Sequence, residues 1–226
     1  MQIAVKRLKV WSNKADGEFA VELEILGRVQ HKNLIGLRGY CAEGQEQLIV
    51  YDYMPNFNLF AHLHGPQSAE CLLDWSRRMN IAIGCAEGVV LEMTNYYTCK
   101  KKGLNLNSFT KNEKSFLKLA LVLTYIYNLT FRYLHHQATP HIIHRAIKPS
   151  SVLLDSNFEA LIGGFGFAKL IPDSKTQVTT NVKGTLGYLA PEYAMSGKAS
   201  ESCDVYSFSI LLLELASGRK PIVKVS

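Results

Sequence analysis

Two kinds of hydrophobic repeat are laid out along this chain in an order that constrains its fold more than any other feature. Ile3 to Leu8 alternates with the period of two that a β-strand requires, which puts Ala4 and Lys6 on one face. Phe19, Leu23, Leu26 and Val29 then recur at helical spacing, with Asp16 placed to cap a helix and Glu18 in its first turn, so Glu22 lies within that helix. Leu34 to Tyr40 and Gln47 to Tyr53 read as two strands joined at Glu43-Gly44, and Pro55-Asn56 ends the pattern. From Leu72 to Gly88, and again from Asp204 to Ala216, the spacing is helical.

One stretch does not share this order. Val89 to Arg132 is rich in Lys, Asn, Leu, Thr and Tyr and follows neither flank's pattern. With it removed, Ile81–Gly88 would run almost directly into Tyr133-Leu134-His135-His136, so the expectation is an insertion splitting a helix, foreign to the natural protein. The stretch carries seven basic and two acidic residues, which leaves only +1 of the chain's net +6 for the remainder. No interleaved basic and aromatic stripe runs through that remainder, which argues against a nucleic-acid partner. Its apolar part, Leu119 to Phe131, is shorter than the roughly 20 residues a membrane crossing needs, and Asn128-Leu129-Thr130 reads as a chance match to the glycosylation pattern.

At 226 residues and 47% hydrophobic content, the chain can bury one substantial core. Met1 to Lys6 offers no charged segment leading into an apolar run, so the expectation is an intracellular protein with no transmembrane segment. Five cysteines without a C-x-x-C pair point to reduced thiols rather than to a disulfide framework or a zinc site.

The chemistry-bearing residues come as five signals in a fixed order: Ile3-Ala4-Val5-Lys6, His144-Arg145 with Lys148, Phe165-Gly166, Gly184-Thr185 through Ala190-Pro191-Glu192, and Asp204-Val205-Tyr206-Ser207-Phe208. In this order and spacing they resemble the protein-kinase signature set. The wording LIVYDYMPN, LLDWSRRMNIAIG, YLHH and GTLGYLAPEYAMSGKAS is similar to plant receptor-like cytoplasmic kinases, closest to the Pto-interacting kinase group, over nearly everything except Val89 to Arg132.

The resemblance implies an α+β, two-lobed, kinase-like fold: an N-lobe remnant over residues 1–54, and a mainly helical C-lobe over 55–226 interrupted at about 89–132. It implies ATP and magnesium as cofactors, and signalling proteins such as related kinases as partners. The expected location is the cytoplasm, with the inner face of the plasma membrane reached through partners. Lys6 would neutralise the α- and β-phosphates while Glu22 holds it. Ala4, Tyr51 (as gatekeeper), Met54 in the hinge Asp52–Met54, and Leu153 as floor complete the ATP-binding set. Thr179, Thr180 and Thr185 are candidate phosphosites.

Against the same pattern, three positions have lost their chemistry. The catalytic-loop aspartate, which accepts the substrate hydroxyl proton, is Ala146; Lys148 remains and can balance phosphate charge. The two metal-ligand positions are Ser151 and Gly164, so the metal set is expected to be lost. Gly163-Gly164-Phe165-Gly166 lacks the G-x-G-x-x-G spacing of a phosphate-cradling loop. The family's Gly-rich loop would precede Lys6 and its last helices would follow Ala216, so the expectation also includes a missing phosphate lid and an exposed strand edge. Three readings follow: a catalytically impaired domain that binds partners through Leu170–Glu192, a residual serine/threonine or tyrosine phosphotransferase, and a product that folds poorly.

Overall fold

The structure, a computed structural model, describes residues 2–9, 13–44, 46–87 and 133–222. The segment 89–132, with Asn128 and Leu119 to Phe131, lies outside the described residues.

Strand β1 (Ile3–Lys9), helix α1 (Asn13–Leu26), and strands β2 (Leu37–Glu43) and β3 (Glu46–Asp52) open the chain. The sheet order is β1-β3-β2, antiparallel throughout, with Lys6 opposite Ile49 and Ala4 opposite Tyr51. Gly44, at a φ of 59°, supplies the left-handed residue that the hairpin between β2 and β3 turns on. As the period of two requires, Ala4 and Leu8 pack against the core while Ile3 and Val5, on the opposite face, are about half exposed.

Several boundaries differ from the sequence reading. Helix α1 begins at Asn13, so Asp16 sits inside the helix and Glu18 in its second turn. An acidic residue is favourable anywhere near a helix's positive end, so it marks the start only to within a turn. At the other end Val29 lies beyond the helix, yet remains buried in the core at 4% exposure. Strand β2 starts at Leu37 rather than Leu34 because Leu34 and Ile35 are recruited elsewhere. Ile162 donates to the Asn33 carbonyl at 2.8 Å and accepts from Ile35 at 2.9 Å, forming a parallel bridge far along the chain.

The second part is assembled from helices α2 (Leu59–His64), α3 (Gln67–Glu70) and α4 (Trp75–Glu87), a π-helical turn (Tyr133–Gln137), and the short strand pairs β4 (His141–Ile143) with β7 (Lys169–Ile171), and β5 (Val152–Leu154) with β6 (Ala160–Ile162). Strand β8 (Gln177–Thr179), helix α5 (Pro191–Ser196), strand β9 (Lys198–Ser200), which pairs with β8, and helix α6 (Glu201–Ser217) follow. The α+β layout is the one expected: a small antiparallel sheet with one helix, then a mainly helical body. Helix α4 starts at Trp75, three residues later than its pattern, because the Asp74 carboxylate accepts from the Arg77 amide at 2.8 Å and caps it. Helix α6 starts earlier than expected, at Glu201 after the N-cap Ser200, and ends at Gly218 with a φ of 68°. Phe208, Leu211, Leu212 and Leu215 of α6 are each 3% exposed or less, and burial of such a side chain stabilises the fold by roughly 1.5–3 kcal/mol. No described helix is long and apolar enough to cross a membrane.

Candidate active site

Strand β1 and helix α1 bring their two charged residues together. Lys6 Nζ lies 2.5 Å from Glu22 Oε2, the ammonium half exposed and the carboxylate almost wholly buried. A buried carboxylate needs a partner for each oxygen. The second is satisfied by Tyr51 on β3, whose hydroxyl donates to Glu22 Oε1 at 2.7 Å. Burial, then the Glu22 charge and the hydrogen bond, hold the Tyr51 hydroxyl above its ordinary range, so it stays protonated and remains a donor. The family resemblance implied the pairing of Lys6 with Glu22; the Tyr51 contact has no local signature.

This contact carries a prediction. Tyr51→Phe leaves one oxygen of a carboxylate that is 1% exposed without its donor, which should cost about 1–3 kcal/mol. Equilibrium denaturation in urea checks it, and an unchanged midpoint would show that water replaces the hydroxyl.

Ala4 lies on the face of Lys6, and Met54 and Leu153 are partly buried against the core, on β1, after β3 and on β5 respectively. All three pack against the hydrophobic cluster that contains Tyr51.

Below the sheet, the loop between β4 and β5 is pinned by a buried carboxylate. Asp204, in the first turn of α6, accepts from the His144 amide at 2.7 Å, the Arg145 amide at 2.7 Å and His135 Nε2 at 3.0 Å. These bonds hold Arg145 at a φ of 61°, a conformation few side-chain-bearing residues adopt. The His144 ring accepts at Nδ1 from the Ala146 amide at 3.2 Å and donates from Nε2 to the Gly163 carbonyl at 3.1 Å, which requires the neutral ring. Burial is the largest influence on it and lowers its pKa below the ordinary value, consistent with that tautomer.

Around this loop stand Ala146, Ser151 and Gly164. Ala146, 9% exposed, presents a methyl group. Ser151 Oγ donates to the Ala146 carbonyl at 2.8 Å, and the Ser151 carbonyl accepts from the Gly163 amide at 2.9 Å. Gly164 sits at a φ of 78°, and a Cβ added there would lie 3.4 Å from Ser151 Oγ, an ordinary contact. The three positions are therefore neighbours. Magnesium takes hard oxygen ligands in near-octahedral order, and here the donor set is one neutral hydroxyl already committed to a carbonyl. These residues do not fit the ion.

Lys148 Nζ donates to Thr185 Oγ1 at 2.8 Å, tying the loop to the segment before α5. Thr179 is exposed on β8, and Thr180 Oγ1 is 3.5 Å from an Arg145 nitrogen. Phe165 is fully buried against His144, with ring centroids 4.8 Å apart. Arg145 also donates from Nε to the Phe167 carbonyl at 2.6 Å and to the Tyr193 hydroxyl at 3.0 Å. Asp204 and Tyr193 were not among the expected site residues. Their motifs, Asp204-Val205-Tyr206 and Ala190-Pro191-Glu192-Tyr193, are visible in the sequence, but their partners lie tens of residues away.

Comparison with known proteins agrees with this geometry. The model of the protein tyrosine and serine/threonine kinase family matches residues 1–226. A PTI1-like tyrosine-protein kinase of Arabidopsis thaliana is 46% identical over 226 residues, covering 100% of this chain and 51% of that protein. The proline-rich receptor-like protein kinase PERK13 of the same plant is 42% identical over 220 residues, covering 97% of this chain and 25% of its own length. This chain thus spans about half the length of the first relative and a quarter of the second. The paired Lys6 and Glu22, the loop anchored on Asp204 and the match across the whole chain agree, and the chain belongs to the protein tyrosine and serine/threonine kinase family.

Proposed function

We propose that this chain is a catalytically impaired kinase-family domain whose remaining role is to bind signalling proteins, related kinases among them, through the segment Leu170–Glu192. The observation that carries this reading is the joint absence of a proton acceptor at Ala146 and of a carboxylate at Ser151 and Gly164, three positions that converge on one corner. A methyl group cannot accept a proton, and a positioned general base contributes about 10²–10⁴ in rate. Without a metal, charge developing on a transferring phosphoryl group would be met by Lys6 and Lys148, the two cations that the resemblance places there. ATP would be held by Lys6, oriented by Glu22 and Tyr51, with Ala4, Met54 and Leu153 around the base; bound there, it supplies the transferable phosphoryl group. Thr179, Thr180 and Thr185 would be sites at which another kinase modifies this chain.

The runner-up, a residual serine/threonine or tyrosine phosphotransferase, is favoured by the formed Lys6–Glu22 pair and the buried Phe165. Thermal shift separates the two. ATP with a chelator should stabilise the chain as much as ATP with magnesium. A clearly larger shift with magnesium would mean that a metal site exists despite Gly164 and would favour the runner-up.

A further inference from the structure

We infer that Lys183 latches the segment Leu170–Glu192 to helix α1, so that the position of Glu22 against Lys6 depends on this contact. Lys183 Nζ lies 3.9 Å from Glu18 Oε1, with both side chains about a quarter to a third exposed. The same ammonium sits 5.2 Å from the centre of the Phe167 ring. It therefore touches both surfaces that meet at the base of α1: the helix itself and the turn Phe165–Phe167.

Those two surfaces are in close register. A Cβ at Gly166 would stand 3.4 Å from Glu22 Oε2, 3.5 Å from Glu18 Cβ and 3.6 Å from the Glu18 carbonyl. Glu18 and Glu22 are four residues apart, hence on one helix face. A pull on Glu18 is a pull on the residue that holds Lys6 at 2.5 Å. The Lys183 backbone is fixed independently, since its amide donates to the Tyr193 hydroxyl at 3.1 Å, the same oxygen that receives Arg145 at 3.0 Å. Arg145 in turn holds the Phe167 carbonyl at 2.6 Å. Charge, ring and backbone contacts thus run from Asp204 on α6 through Arg145 and the segment to α1.

Backbone amide hydrogen exchange on the full chain, read by mass spectrometry, tests this without nucleotide, so its failure is distinct from failure of the impaired-catalysis reading. Lys183→Met should raise exchange in α1 and in Phe165–Ala168 about fivefold, the combined scale of a partly exposed ion pair and a cation–π contact. Lys183→Arg should leave it unchanged, and Glu18→Gln should give a smaller rise because the ring contact survives. The exchanged pair Glu18→Lys with Lys183→Glu should recover part of the protection. Unchanged α1 exchange in Lys183→Met and Glu18→Gln would overturn the latch. A uniform rise across all regions would overturn it too, by making Lys183 a contributor to global stability rather than to coupling.

Discussion

Asp204→Ala is expected to remove about 3–5 kcal/mol of stability, the range found when a buried charged partner is lost, against about 5–15 kcal/mol for a whole domain. The side chain is 0% exposed and serves two backbone amides and an imidazole at once. Truncation leaves the His144 and Arg145 amides buried without their acceptor, each at a cost of roughly 1–3 kcal/mol. It also releases Arg145 from a φ of 61°, a conformation that persists only while its surroundings enforce it. Asp204→Asn should be milder, since one acceptor oxygen remains, while its amide group now faces a donor. Guanidinium denaturation is the measurement. A loss below about 1 kcal/mol, the scale of one ordinary hydrogen bond, would mean that the loop does not depend on this anchor.

The second large effect concerns the substituted corner. Ala146→Asp alone should give no phosphorylation above background, because a base cannot act on a nucleotide whose phosphates are not clamped by metal. Residues that act as a unit are strongly non-additive. Adding Ser151→Asn and Gly164→Asp should restore magnesium-dependent stabilisation by ATP and raise labelling of a generic substrate by about 10²-fold or more over the single variant, the lower end of what a positioned base contributes. A Cβ at Gly164 meets nothing closer than Ser151 Oγ at 3.4 Å, while the positive φ strains any side chain placed there. Its φ of 78° lies in the left-handed region that aspartate enters more readily than most residues. Radiolabel transfer by Ala146→Asp alone would show that Ser151 and Gly164 are tolerated and would reverse the functional reading.

What the sequence determined by itself was local. Period-two alternation assigned β1 and put Ala4 and Lys6 on one face; helical spacing put Glu22 on α1; Gly44 marked the hairpin turn; and the lack of a carboxylate at Ala146, Ser151 and Gly164 is a matter of sequence that no packing can reverse. Even the misplaced start of α1 was an error of one turn, since cap and first-turn signals overlap. What only the tertiary structure decided was pairing over long separations. Leu34 and Ile35 read as strand because they are apolar, yet the Leu34 amide donates to His31 and the Ile35 amide to Ile162, not to β3. The Tyr51 hydroxyl on Glu22, Asp204 beneath His144 and Arg145, and Lys183 beside Glu18 leave no periodic trace. Periodicity reports which face of an element is buried. The choice of polar partner depends on where other elements dock on that face, and that is fixed only when the whole core has packed.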